Sequence, residues 1–159
     1  MRTSQSGLEF ITEHEGLRLD AYQDQAGLWT IGVGHLIRPF ETHLQGAPIT
    51  NAQAMELLRE DVKTAETDVR NALKIEVNQN QFDSLVSIAF NLGGPQFRSS
   101  TFIKRINASD SRERITEAWH RWNKYTDESG NLAVSRGLHL RRIAETNLYF
   151  KSEDQKKKS

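Results

Sequence analysis

The chain of 159 residues contains no cysteine, only three prolines and 8% aromatic residues, and its formal charge at pH 7 is zero. Without cysteine there are neither disulfides nor thiolate metal ligands, so reducing and oxidising compartments are equally open to it. No run approaches the roughly 18 apolar residues that a membrane span requires, which excludes membrane insertion. The start, MRTSQSGLEF, lacks a basic segment followed by an apolar one; no secretory signal is expected, and the product is expected to stay in the cytoplasm that makes it. No nucleic-acid partner is expected.

What is present is the usual material of one domain. Residues 1–60 hold 4 basic and 8 acidic side chains, and residues 61–159 hold 17 and 13, an acidic front and a basic back. Leu8 and Ile11 stand at helical spacing before Gly16, which predicts a short helix ending at Glu15. From Leu28 to Val33 the period changes to two, with Trp29, Ile31 and Val33 on one face and Thr30, Gly32 and Gly34 on a bare one. The stretch RPFETHLQGAPI reads as a loop. Thr50 and Gln53 form a capping box ahead of a helix of about 25 residues, and Asn78 with Gln81 repeats it before a helix closing on Gly93, Gly94 and Pro95. Further helices are expected around 100–107 and 111–124, and a last one over VSRGLHLRRIAETNLYF. The tail KSEDQKKKS is too polar to pack.

Glu15 and Asp24 raise a geometric problem. On a helix nine positions set them on opposite faces with about 13 Å of rise between them, and an extended chain separates them by about 30 Å. They share a site only if the chain stops at Gly16 and doubles back. The stretch DQAG supplies that reversal as a three-residue loop, Gln25 to Gly27, with Gly27 left-handed. Asp24 then pairs with Leu28, and Asp24 falls on the same face as Thr30. An acid at a helix end, a carboxylate and a hydroxyl suit glycosidic cleavage: one carboxyl group protonates the leaving oxygen, while the other activates water or bonds to the sugar. Gly32 and Gly34 are expected to let a substrate approach the backbone. Each residue taken singly has a plain structural explanation, as a turn aspartate, a strand threonine and a helix-end acid.

Other motifs fail. GVGHLI lacks the third glycine of a dinucleotide fingerprint, because Ile37 occupies that position. His14 and Glu15 open like a zinc-protease helix, but Arg18 stands where the second histidine belongs, and no metal or other cofactor is expected. Trp119 and Trp122, near Ile115, read as core.

Glu15, eight residues, Asp24, five residues, Thr30 and then IGVGH resemble the catalytic signature of the phage-type lysozymes, or endolysins, of glycoside hydrolase family twenty-four. The resemblance continues through NQNQFDSLVSIAFNLG, FRSSTFIKRIN and RGLHLRRIAE. It implies an α+β, lysozyme-like fold: one domain over 1–150, with a small N-terminal lobe (about 12–60) holding a β-hairpin or short antiparallel sheet. A long helix would join it to a larger all-helical lobe (about 1–11 and 61–150), leaving 151–159 as a disordered basic tail. The implied activity is that of an N-acetylmuramidase cutting the β-1,4 bond between N-acetylmuramic acid and N-acetylglucosamine in peptidoglycan. By the same resemblance Glu15 is the general acid, Asp24 the opposing carboxylate or base, and Thr30 the residue that positions water. Leu36, Phe90, Asn91 and Ser100 match cleft positions, Arg141 matches an arginine that pairs with the catalytic acid, and His35 is expected in a structural ion pair or hydrogen bond rather than in catalysis. The implied setting is a monomer made in the host cytoplasm that lyses the cell late in infection, reaching the periplasmic wall through a separate holin-type pore. Two other uses of such a domain remain open at this point, a virion part or effector that pierces walls, and a peptidoglycan-binding module without catalysis.

Overall fold

The computed structural model describes residues 1–152. Helix α1 (Gln5–Glu15) begins where the Ser4 side chain accepts from the Gly7 N–H and stops at Gly16, whose φ of 87° turns the chain away while its N–H closes on Thr12 O. Strands β1 (Arg18–Gln23), β2 (Trp29–Gly32) and β3 (His35–Leu36) follow in an antiparallel sheet of that order. Tyr22 pairs with Thr30 and Gln23 with Trp29, while the register slips between Arg18 and Tyr22.

The stretch expected as a loop contains a 3-10 helix, Pro39–Gln45. Pro39 suits its first turn, and the Glu41 side chain accepts from the Arg38 N–H at 3.1 Å, so a segment with no apolar period is held by local capping. Helix α2 (Asn51–Ala72) opens on the expected box: Thr50 N–H donates to Gln53 Oε1 at 2.8 Å and Gln53 N–H to Thr50 Oγ1 at 3.1 Å. Helices α3 (Gln79–Leu92), α4 (Gly94–Ser99), α5 (Thr101–Asn107) and α6 (Arg112–His120) come next, then β4 (Lys124–Thr126), β5 (Leu132–Val134) and α7 (Arg136–Tyr149).

Contacts divide the chain into two compact units, with the boundary inside α2 between Thr64 and Ala65. In the unit Ser4–Thr64, Ile31, Ile49 and Ala54 form a buried cluster with Leu19, Leu44 and Leu57 against it. The other unit comprises Met1–Thr3 and the residues from Ala65 onward. Its core is a chain of rings, Phe97 to Phe102 to Trp119 to Tyr149 to Phe150, with centroids 4.8 to 5.8 Å apart, and α7 packs on α3 and α6. Thr3 is held in this unit by Glu66 Oε2, which accepts from its N–H at 2.5 Å and its hydroxyl at 2.7 Å.

The mixed α+β class is as expected, but the expectation of an all-helical C-terminal part is corrected. Helix α6 ends at His120 rather than near 124, and β4 and β5 form a hairpin, Lys124 opposite Val134 and Thr126 opposite Leu132. Each strand is too short to show a period; the readable signal was the turn DESG, which repeats the logic of DQAG. Of the expected basic tail, residues 153–159, including Lys156, Lys157 and Lys158, lie outside the described residues, whereas Ser152 Oγ accepts from Asn78 Nδ2 at 3.4 Å.

Candidate active site

Glu15 is the last residue of α1 and is exposed. Its position follows from Gly16, because a residue with a side chain strongly resists the φ that ends the helix there. Eight residues on, the hairpin loop adopts the expected form. Asp24 N–H donates to Leu28 O and Gly27 N–H to Asp24 O, both at 2.9 Å, and Gly27 has a φ of 80°. Asp24 therefore stands opposite Leu28, one step beyond the Gln23–Trp29 pair, on the same side of the ladder as Thr30.

The loop binds one oxygen of the Asp24 carboxyl group: Oδ1 accepts from the N–H groups of Ala26 and Leu28, both at 2.9 Å. Oδ2 accepts no hydrogen bond among the described residues. Thr30 is 4% exposed, and its hydroxyl donates to Leu28 O at 3.0 Å. The face that carries it is not bare as expected. Gly32 lies against helix α2, where an added Cβ would meet the Ala54 Cβ in ordinary contact at 3.6 Å, and its φ of 68° is what favours glycine there. Gly34 faces open space.

Beside this sheet His35 is buried between two carboxylates, Nδ1 lying 2.8 Å from Asp61 Oδ2 and Nε2 3.1 Å from Glu41 Oε1. This is the structural pairing expected of it, and it ties β3 to α2 and to the 3-10 helix. Burial opposes the charged form of Glu41, but the Arg38 N–H and His35 outweigh it and hold the carboxyl below the ordinary range. Leu36 next to it is 50% exposed.

The remaining expected site residues belong to the other unit. Phe90 and Asn91 are half-buried near the end of α3, and Asn91 Oδ1 accepts from Arg142 Nη2 at 2.6 Å. That bond leaves the Asn91 amide N–H groups for other partners. Asn91 also lines a surface cavity of about 450 Å³ with Leu92, Gln96 and Trp122. Ser100 is buried and caps α5, accepting from Ile103 N–H at 3.4 Å and donating to Phe97 O at 2.8 Å. Arg141, 4% exposed, donates through Nε to Glu145 Oε2 at 3.3 Å and through Nη2 to Ser87 O at 3.1 Å. Trp119 is fully buried, as expected, whereas Trp122 is not core: half-buried past the end of α6, it lines two surface cavities.

Sequence reasoning missed Glu145. Its fully buried carboxyl group accepts from Ser87 Oγ at 2.6 Å and Trp119 Nε1 at 3.1 Å, and both Arg141 and Arg142 flank it. The available signal was Arg141, Arg142 and Glu145 at helical spacing of three and four. Among the described residues no group of three or more histidines and acids is placed to hold a metal ion, and no helix is long and apolar enough to cross a membrane.

The chain is similar to known proteins over most of its length. The Phage lysozyme family model matches residues 12–145. An endolysin of Acyrthosiphon pisum secondary endosymbiont phage 1 is 38% identical over 151 residues, 94% of this chain and 98% of its own. The structure of an endolysin from Escherichia coli O157:H7 phage FAHEc1 superposes with a TM-score of 0.85 at 41% identity, covering 96% of this chain and 95% of that one. The muramidase domain of SpmX from Asticaccaulis excentricus gives 0.82 at 34% identity, with 93% and 97% covered. On this match and these identities the chain belongs to the phage lysozyme family, and with it to the endolysins, hydrolases that act on the bacterial cell wall.

Proposed function

We propose that the protein is an endolysin muramidase that hydrolyses the β-1,4 bond between N-acetylmuramic acid and N-acetylglucosamine in peptidoglycan. The observation that carries this reading is the register of the first hairpin, which sets Asp24 and Thr30 on one side of the ladder in the unit where α1 ends at Glu15. Glu15 gives its proton to the glycosidic oxygen as the C–O bond breaks, so the departing sugar leaves as a neutral alcohol. Water bonds through its oxygen to the anomeric carbon, and its proton passes to Asp24, acting as base; Thr30 holds that water. Exposed Glu15 is desolvated by the glycan that covers it. The muramidase domain among the solved relatives supports this bond as the target.

Leu36 in the unit that carries Glu15, and Phe90, Asn91, Ser100 and Arg141 in the other, are further proposed substrate-binding residues, Asn91 offering its amide N–H groups while Arg142 holds its oxygen. The protein acts as a monomer and reaches the wall from the cytoplasm through a separate holin-type pore at the end of phage infection.

The test is the release of new reducing ends at muramic acid from purified, outer-membrane-stripped Gram-negative walls. The native protein is expected to release them and Glu15→Gln to be slower by about a hundredfold or more. Wall binding without cleavage by both proteins would instead make the chain a binding module.

A further inference from the structure

We infer that the backbone of Leu28 is a positioning element for the reaction, holding Asp24 by its N–H and Thr30 by its carbonyl; this rests on the function proposed above. The Leu28 N–H donates to Asp24 Oδ1 at 2.9 Å. Its carbonyl accepts both the Asp24 N–H, at 2.9 Å, and the Thr30 hydroxyl, at 3.0 Å. One residue's backbone thus carries both groups that face the water, and each bond has a chemical consequence. With Oδ1 held by two N–H groups, Oδ2 is the oxygen Asp24 presents. With its proton given to Leu28 O, Thr30 meets the water as an acceptor. A water between them donates one hydrogen to Oδ2 and the other to Thr30 Oγ1, and keeps a lone pair for the anomeric carbon. As that oxygen bonds to carbon, the hydrogen on Oδ2 is the proton that Asp24 takes.

The same loop recurs at Asp127, which separates building a turn from positioning water. Asp127 N–H donates to Asn131 O at 2.8 Å and Gly130 N–H to Asp127 O at 3.0 Å. Asp127 Oδ1 accepts from Ser129 N–H at 3.0 Å and Asn131 N–H at 2.9 Å, and Gly130 has a φ of 81°. All four bonds of the first loop are repeated. The difference lies two residues past the hub: Thr30 follows Leu28, whereas Ala133 follows Asn131 and puts no hydroxyl on that carbonyl. The second loop makes a hairpin, and the first makes a hairpin and orients a hydroxyl.

The experiment replaces the Leu28 amide with an ester, inserting the α-hydroxy analogue of leucine in the full chain so that the N–H alone is lost, and makes the same change at Asn131. Both esters are expected to lower Tm by similar amounts. The ester at 28 is expected to reduce kcat on soluble glycan fragments about tenfold to a hundredfold with KM within about twofold, because the carboxylate loses its fixed orientation. The ester at 131 keeps native kcat. An ester at Ala26, removing the other N–H from Oδ1, is the second variant should the first not fold, with the same kcat loss expected. In parallel, Thr30→Val is expected to lose activity and Thr30→Ser to regain most of it. Native kcat in a folded Leu28 or Ala26 ester, or equal losses at 28 and 131, overturns the inference. A native protein that releases no reducing ends overturns the proposed function instead.

Discussion

Gly94 shows how a missing side chain holds two charges together. An added Cβ there would lie 2.6 Å from both Asp68 Oδ2 and Arg98 Nη1, and these two side chains pair through Asp68 Oδ1 and Arg98 Nη1 at 2.7 Å. Gly94→Ala is therefore expected to destabilise the protein by about 1 kcal/mol, the low end for overpacking, since both obstacles are ends of side chains. Urea unfolding would show it, and the cost should largely vanish in an Asp68→Ala background; a full cost there would mean that the backbone is strained instead. Asp24 and Asp127 make a related point. Identical loops form around both, so the loop by itself says nothing of catalysis, and what distinguishes the first is the residue two places beyond it.

At the level of elements, α7 is fastened to α3 and α6 by polar groups inside an aromatic core. Glu145 receives Ser87 from α3 and Trp119 from α6, while Arg141 and Arg142 stand beside it on α7. Glu145→Ala takes the shared carboxylate away from two buried guanidiniums and is expected to cost about 3 kcal/mol or more, measured by the same unfolding. Glu145→Gln, which keeps the shape and an acceptor, should lose less. A small cost for the alanine variant would mean that the arginines find other acceptors.

Across the whole molecule, stability should decline with acid in two ranges. Burial pushes His120 below its ordinary value of 6.5, with the charges of His139 and Arg142 acting in the same direction. A depressed folded value means that the unfolded chain takes the proton first, so this contribution is complete above about pH 6.5 and is lost as pH falls through the folded value. Glu41 titrates lower: its contribution is present above its ordinary 4.5 and is lost as pH falls further. The check is Tm against pH for the native protein and His120→Gln. Their difference should be flat above pH 7 and move against the native protein below about 6.5; a constant difference throughout would remove the role of His120.

Features that depend on neighbours along the chain follow from the residue order: the stops at Gly16 and Gly93, the capping boxes at Thr50 and Asn78, and the loop that pairs Asp24 with Leu28. Each is set by a few residues whose backbone preferences act within a turn, so the candidate carboxylates and hydroxyl were legible, as was the family they resemble. Features that depend on distant partners had to wait for packing. Packing brought Ala54 against Gly32, paired strands β4 and β5, which are too short to show a period, and buried Glu145 among Ser87, Trp119 and two arginines. Those outcomes depend on which surfaces exclude water from each other, and linear spacing carries no record of that for residues 22, 26 or 58 positions apart.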